Sequence, residues 1–297
     1  MEYIVETKDL TKKFPNKLAV DHVSMHIARG DIYGFIGKNG AGKTTTMKLL
    51  LGLLRPTSGE MSLFGSTKLD EGRIKIGSLI EEPGLYKNSD AIENMKRFAI
   101  LNGGDVNEIK EILDLVGLSG AARRKVREYS LGMKQRLGIA ISLLGHPDLL
   151  ILDEPINGLD PAGIKEIRDT ILKLNKEKGV SFLISSHILD ELAKITTRYG
   201  IINDGRLVEE IEADVLNERC QTNLKISVDN VNKAESILKE NNLLNRYELN
   251  DHELVMFDHY EEAAKINELL VKGGVKVNGL SHSDMAFEDY FIERIGR

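Results

Sequence analysis

The stretch "GKNGAGKT", residues 37–44, decides the fold class of this chain, because it fits the spacing G-x-x-x-x-G-K-[ST]. The run that leads into it, "DIYGFIG", is short, β-branched and aromatic, which predicts a buried strand. The run that follows, "TTTMKLLLGLL", has helical spacing until "RPTSG" ends it. The sequence therefore predicts a strand, a glycine-rich loop and a helix in succession, which is the structural context that this motif requires.

The glycine-rich loop has the chemistry of a phosphate-binding site. Its glycines let backbone N–H groups converge on phosphate oxygens, and the start of the next helix adds the positive end of its dipole. Lys43 would reach the β and γ oxygens, and the Thr44 hydroxyl would bind Mg²⁺. We interpret the loop as a nucleoside triphosphate site. Its predicted binding residues are Gly37, Lys38, Asn39, Gly40, Ala41, Gly42, Lys43, Thr44 and Thr45.

Two adjacent carboxylates follow a second apolar strand in "LLILDEP". Asp153 would anchor Mg²⁺, and Glu154 would act as the general base that activates water. Acidic residues after a strand can also simply cap the next helix or turn. Ligands of an open parallel sheet bind at the carboxyl ends of its strands, where this pair and the glycine-rich loop both lie. That shared position favours the catalytic interpretation.

One histidine and one aromatic residue are further candidates for the site. His187 follows a third strand in "FLISSH", where an imidazole could donate to the γ-phosphate and orient the attacking water. A lone histidine is more often structural, but two neighbouring strand ends with phosphate chemistry favour a functional role. Phe14, in "TKKFPN", is either a core residue or a ring on a turn that stacks on adenine.

The composition is that of a globular chain without a basic field. The 297 residues favour a domain of about 200 residues with a smaller companion. A net charge of −6 gives no reason to expect binding to nucleic acid or anionic lipid. The single cysteine, Cys220, cannot form an internal disulfide and fits a reducing compartment. No apolar run approaches the roughly 18 residues that span a bilayer, so we expect a cytoplasmic chain.

Changes in hydrophobic periodicity divide the chain into two predicted domains. In domain 1–215 the opening alternates apolar and polar positions, as antiparallel strands do, and residues 89–145 are helical almost throughout. Later segments return to short buried strands separated by helices, which is typical of a parallel α/β core. In domain 216–297 the order β-α-β-β-α-β, closed by a further helix, predicts a small accessory ferredoxin-like α+β domain.

Taken together, these motifs resemble the ATP-binding cassette family, the ATPase subunits of ABC transporters. Six segments occur in the family's order: the aromatic turn, "GKNGAGKT", "LIEEPGLY", "YSLGMKQR", "LLILDEPINGLD" and "LISSH". The segments "IEEP" and "NGLDPAG" are most similar to the subgroup that exports bacitracin-like and lantibiotic peptides or protects against them. The resemblance implies an α/β P-loop NTPase cassette with an N-terminal antiparallel β subdomain, a helical insertion and a small α+β C-terminal domain.

The resemblance also implies roles for individual residues. Phe14 looks like the residue that stacks on adenine, and His187 like the switch histidine. Asp160, in "NGLD", looks like the residue that links the two ATP sites of a dimer. Ser130 and Gly132 of "YSLGMKQR" would contact the open face of the γ-phosphate of ATP that is bound to the opposite subunit. The implied ATP-bound state is a homodimer, or a heterodimer with a related ATPase subunit.

Two positions depart from the family's pattern. Glu81, in "LIEEP", stands where most of the family has a glutamine. Its carboxylate can still bind Mg²⁺, but it would repel the γ-phosphate and the attacking hydroxide. The alternative interpretation is that Glu81 is simply a solvated loop residue. In the signature, "YSLGM" stands where "LSGGQ" is common, and Leu131 lacks the conformational freedom of glycine, so the loop is expected to be stiffer.

The leading hypothesis is an ATP-hydrolysing subunit that powers a separate integral membrane permease. By resemblance, the permease would contact the helical insertion and residues 81–86, and would hold the chain at the inner face of the cell membrane. The alternative is a non-transport ATPase switch that acts on ribosomes or DNA. Translation-type relatives usually join two cassettes and repair-type relatives carry a long coiled coil, and this chain has neither. A P-loop kinase is a third possibility. It would need a phosphate-acceptor site and a lid in place of the signature segment "YSLGMKQR".

Overall fold

The computed structural model describes residues 2–187, 189–220, 223–283 and 287–295. The chain divides into two compact units. The larger one ends at Ala213 and also takes in the last residues from Arg294, and the smaller one is Asp214–Glu293. The boundary predicted from the sequence, after residue 215, lies slightly further along the chain.

Strands and helices alternate through most of the described sequence. The strands are β1 (Tyr3–Phe14), β2 (Lys17–Val23), β3 (His26–Ala28), β4 (Ile32–Ile36), β5 (Ser58–Leu63), β6 (Ile76–Leu79), β7 (Leu149–Asp153), β8 (Ser181–Ser186), β9 (Arg198–Asn203), β10 (Arg206–Glu212), β11 (Asn223–Val228), β12 (Tyr247–Leu249), β13 (Glu253–Met256) and β14 (Val277–Ser283). The helices are α1 (Lys43–Leu50), α2 (Leu69–Arg73), α3 (Ala91–Asn102), α4 (Ile109–Leu115), α5 (Leu131–Ser142), α6 (Pro161–Lys178), α7 (Leu189–Ala193), α8 (Ala213–Arg219), α9 (Val231–Glu240), α10 (Ala263–Lys272) and α11 (Phe287–Ile295). Short 3₁₀ turns lie at Val106–Glu108, Ser119–Ala121, Val126–Glu128 and Tyr260–Glu262.

An antiparallel sheet opens the larger unit. Strand β1 pairs with β2, β3 and β5, all antiparallel. The turn between β1 and β2 lies where Phe14 pairs with Lys17, as the sequence predicts. Strand β5 follows the first helix, and its pairing with β1 was not predicted from the local pattern.

A second sheet, in the order β10-β9-β4-β8-β7-β6, forms the centre of the larger unit. Its pairs are parallel except for the hairpin of β9 and β10. Every residue of β4, β7 and β8 is buried, which explains their continuous apolar sequences. Strands β4, β8 and β7 are neighbours, so their carboxyl ends lie side by side at one edge of the sheet. The predicted α/β core is confirmed.

Helices α3, α4 and α5 occupy the segment between β6 and β7. The side chain of Asp90 caps α3 by accepting a hydrogen bond from the Glu93 N–H, and Ser130 caps α5 in the same way from Met133. The helical insertion predicted for residues 89–145 is present. No helix among the residues that the structure describes has both the length and the apolar character needed to cross a membrane.

The smaller unit has its own sheet and its own core. Its strands lie in the order β12-β13-β11-β14, and all neighbouring pairs are antiparallel. Helices α9 and α10 contribute Leu238 and Leu270 to the core beside Leu224 and Leu254 of the sheet. The element order is β-α-β-β-α-β, as the sequence indicates, so the α+β class is confirmed. The closing helix is observed from Phe287, and residues 284–286 lie outside the described residues.

Candidate nucleotide site

The glycine-rich loop runs from the end of β4 to the start of α1 with its backbone tightly packed. A Cβ atom at Gly37 would lie 2.5 Å from the carbonyl oxygen of Ile202, and one at Gly42 would lie 2.5 Å from that of Ala19. Gly42 has a φ of +114°, a conformation that favours glycine. The loop therefore keeps its shape only without side chains at these positions.

A cavity of about 300 Å³ lies over this loop. Its lining includes Phe14, Lys17 and Glu154 together with most of the loop: Lys38, Asn39, Gly40, Gly42, Lys43, Thr44 and Thr45. Phe14 is 37% exposed, and the Nζ atom of Lys12 lies 5.2 Å from its ring centroid. Phe14 is thus at the cavity and outside the core, while its predicted stacking on adenine stays a prediction.

Lys43 is the buried cation of the cavity. Its Nζ atom donates to the Gly37 carbonyl at 2.6 Å and lies 3.3 Å from Oε1 of Glu154. The side chain of Lys43 is 6% exposed and that of Glu154 is 22% exposed, so this ion pair is partly shielded from water. The predicted phosphate-binding lysine and the predicted general base therefore contact each other across the cavity.

The predicted metal ligands also meet. The Thr44 hydroxyl donates to Oδ2 of Asp153 at 2.7 Å, and the Ser185 hydroxyl donates to Oδ1 at 2.5 Å. A hydroxyl and a carboxylate suit Mg²⁺, which commonly takes few protein ligands and completes its shell with phosphate and water oxygens. No group of three or more His, Cys, Asp or Glu side chains that could hold a metal occurs in the described part of the chain. The donor set fits a magnesium ion shared with a nucleotide.

Ser185 is a functional candidate that the sequence analysis missed. Besides donating to Asp153, its hydroxyl accepts the backbone N–H of Glu154 at 2.9 Å, so one buried serine holds both acidic residues. The sequence feature that could have indicated its role is a polar residue inside the buried strand of "FLISSH".

Glu154 connects the cavity to His187. Its Oε2 atom is 2.8 Å from Nδ1 of the imidazole. Glu154 has a φ of +50°, in the left-handed region that non-glycine residues seldom occupy and that is often found at functional sites. The carboxylate is thereby held between Lys43 and His187.

Glu81 lies beyond the end of β6, with a φ of +62°. Its Oε1 atom accepts a hydrogen bond from Nζ of Lys48 at 2.7 Å. This hydrogen bond to the Lys48 ammonium holds the pKa of the Glu81 carboxyl below its ordinary value. Glu81 is exposed, but its side chain is engaged in an ion pair. Lys48 belongs to no recognised motif of the sequence, although it lies one helical turn after Thr44.

The signature residues and Asp160 lie in a second cavity, of about 480 Å³, and do not line the cavity of Lys43. Asp160 caps α6 through the N–H of Gly163 at 3.0 Å, as Ser130 caps α5. Gly132 is buried beside Gly163, whereas Leu131 is 44% exposed. Within one chain, the N-termini of α5 and α6 therefore form a surface that is separate from the Lys43 cavity.

Comparison with known proteins identifies the family. Residues 20–157 match the family model described as ABC transporter. The chain is 43% identical over 301 residues to the bacitracin transport ATP-binding protein BcrA of Bacillus licheniformis, covering 100% of this chain and 98% of that protein. The chain belongs to the ABC transporter ATP-binding proteins. This ABC ATPase is also 45% identical over 211 residues to the lantibiotic transport ATP-binding protein SrtF of Streptococcus pyogenes, covering 71% of this chain and 92% of that protein.

Solved structures show the same relationship. A dimeric post-hydrolysis state of an ATP-binding cassette, bound to ADP and Pi, superposes with a TM-score of 0.63 at 25% identity. The match covers 70% of this chain and 98% of that one. The resemblance, the P-loop NTPase fold and the ATPase activity expected from the sequence are confirmed. The roles of individual residues stay predictions.

Proposed function

We propose that this ABC ATPase hydrolyses ATP to power a separate membrane permease that exports a bacitracin-like or lantibiotic peptide or protects against one. The named relatives support this substrate class, since one is a bacitracin and the other a lantibiotic transport protein. The bacitracin relative matches the whole chain, including the smaller unit. A bacitracin-like peptide is therefore the first substrate to test.

One observation carries the ATPase mechanism. Lys43, Thr44, Asp153, Glu154 and His187 meet in one contact network at the carboxyl ends of β4, β7 and β8. In the proposed mechanism, phosphate oxygens replace Glu154 as the partner of the Lys43 ammonium. The released carboxylate accepts a proton from the attacking water, and the imidazole of His187 holds that carboxylate in position.

Thr44 and Asp153 would hold Mg²⁺, which neutralises charge on the β and γ phosphates when bound. Ser185 fixes Asp153 through Oδ1 and so leaves Oδ2 directed at Thr44. Glu81 is the further candidate ligand at the neighbouring strand end. In this structure its carboxylate is turned to Lys48.

We infer that the working state is a dimer. In the proposed arrangement, Ser130 and Gly132 of one chain close the γ-phosphate in the cavity of the other chain, and Asp160 links the two sites. The separation of the two cavities within one chain supports this, because a single chain leaves its Lys43 cavity open. The dimeric cassette that matches 70% of this chain is a precedent. A homodimer and a heterodimer with a related ATPase subunit both satisfy this geometry.

The proposed permease contact is the insertion of α3 to α5 with the loop 81–86, and it would place the chain at the inner face of the membrane. This region exposes large apolar side chains, with Tyr86 at 50%, Ile100 at 76% and Leu101 at 73% exposure. Exposed apolar groups of this size are typical of interaction surfaces. For the smaller unit, which has its own core, we propose an accessory interaction or regulatory role.

Two experiments test the proposal. Membranes prepared from the source cells with a tagged chain should yield a polytopic membrane protein with it, whereas recovery of ribosomes or DNA would support the alternative class. A chromosomal Glu154→Gln replacement should lower the tolerance of the cells to bacitracin or to a lantibiotic and leave tolerance to a ribosome-directed antibiotic unchanged. Unaltered tolerance to both peptides would overturn the proposed substrate class but not the ATPase assignment.

A further inference from the structure

Glu81 and Asp153 leave the central sheet at the same edge. Strands β6 and β7 are parallel neighbours, with Leu79 paired to Leu152. Asp153 follows Leu152 directly, and Glu81 follows Leu79 by two residues. The carboxylate of Glu81 therefore leaves the sheet at the same edge as the nucleotide site, on the strand next to that of Asp153.

Helix α1 reaches both carboxylates with side chains one turn apart. Thr44 donates to Asp153, and Lys48, four residues later, donates to Glu81 at 2.7 Å. Residues four apart lie on the same face of a helix. The helix that starts at the phosphate loop thus presents a hydroxyl to the metal-site carboxylate and an ammonium to the carboxylate at the glutamine position.

The charge at this position has a consequence for nucleotide binding. An ionised Glu81 adds one negative charge at the sheet edge where a triphosphate must bind, and like charges repel. When Glu81 pairs with Lys48, the two side chains together carry no net charge. A glutamine side chain is likewise neutral. Glu81 has a φ of +62°, so its backbone is in the left-handed region and departs from the extended conformation of β6.

We propose that Lys48 is a positioning residue that compensates the charge of Glu81 and thereby lets a carboxylate occupy the glutamine position of an ABC ATPase. The inference rests on the proposed nucleotide site. It assigns to Lys48 a role that depends on the identity of residue 81. A generic surface ion pair, by contrast, contributes little and has no reason to affect ligand affinity.

The test is a double-mutant cycle in nucleotide affinity. Wild type, Lys48→Met, Glu81→Gln and the double variant are titrated with the non-hydrolysable analogue AMP-PNP in EDTA, so that no metal ion screens the charge. Lys48→Met should weaken binding about fivefold because Glu81 is then uncompensated. The double variant should return to within about twofold of wild type, and Lys48→Arg should bind as wild type does.

Controls separate this role from simpler ones. Lys173→Met, at an exposed position of α6, removes the same charge far from residue 81 in sequence and should leave affinity unchanged. Raising the salt concentration should reduce the Lys48→Met effect, since an electrostatic effect is screened. Melting temperatures of all variants, measured without nucleotide, report any general structural damage.

Two results would overturn the proposal: no loss of affinity in Lys48→Met, or an equal loss whether residue 81 is Glu or Gln. The second result would mean that Lys48 acts on the nucleotide directly or only supports the fold. Failure of wild type itself to bind AMP-PNP in a parallel titration with Mg²⁺ and without EDTA would instead contradict the proposed site. The two failures are therefore distinguishable in one set of titrations.

Discussion

Replacement of Glu154 by Gln separates two roles of this carboxylate. The side chain keeps its shape and can still hydrogen-bond to His187, but it can no longer take a proton from water. Loss of a general base lowers the catalytic rate typically 10²–10⁴-fold, which corresponds to about 3–5 kcal/mol of activation free energy. We therefore expect phosphate release to fall by at least about a hundredfold while the fold is retained.

The same substitution should strengthen ATP binding. In the structure Glu154 lies 3.3 Å from Lys43, so phosphates must compete with it for the ammonium. A partly shielded ion pair of this kind contributes about 1 kcal/mol, which corresponds to an affinity gain of about fivefold when the competitor is neutralised. Slow hydrolysis with tight binding should also accumulate an ATP-bound dimer.

Three measurements check this prediction on the full chain: phosphate release for turnover, calorimetric titration for affinity and size-exclusion chromatography with ATP for the dimer. Glu177→Gln, at an exposed carboxylate of α6, is the matched control and should behave as wild type. Turnover of Glu154→Gln near the wild-type rate would refute Glu154 as the base. Unchanged affinity would refute the competition with Lys43, even if turnover fell.

Four further variants or measurements probe the site and the fold. Lys43→Ala should abolish ATP binding in the same titration, and full retention would exclude the phosphate-loop assignment. Glu81→Gln should preserve or raise ATPase activity, so a complete loss would show that the carboxylate is required. Gly42→Ala should lower the free energy of unfolding by about 1–3 kcal/mol, because a residue with a Cβ is strained at this positive φ. Gly120→Ala, where a Cβ meets open space, should leave the free energy of unfolding unchanged. Chemical denaturation measures both variants. Burial raises the pKa of the Cys220 thiol, so its alkylation at pH 8 should be slower in the folded protein than in urea and should accelerate above pH 9; equal rates at pH 8 would contradict this.

Local sequence patterns were enough to predict much of the fold. The strand, loop and helix around Lys43 could be recognised because each has its own periodicity and because the glycine spacing is specific. The carboxylates at the end of β7 and the histidine after β8 could be expected to meet, since parallel strands end at a common edge. In contrast, strands β5, β6 and β10 were not identified, because their pairing partners, more than their own residues, define them.

The sequence by itself determined which chemical groups this ABC ATPase brings to its site: a phosphate loop, two acidic residues and a histidine. Only the tertiary structure decided which of them touch. The contacts of Lys48 with Glu81 and of Ser185 with Asp153 join residues 33 and 32 positions apart, so they depend on how α1, β6, β7 and β8 pack. Packing also set Ser130 and Asp160 in a cavity apart from Lys43. Periodicity reports the face that a residue occupies, whereas a contact between distant segments requires the register and packing of the whole sheet.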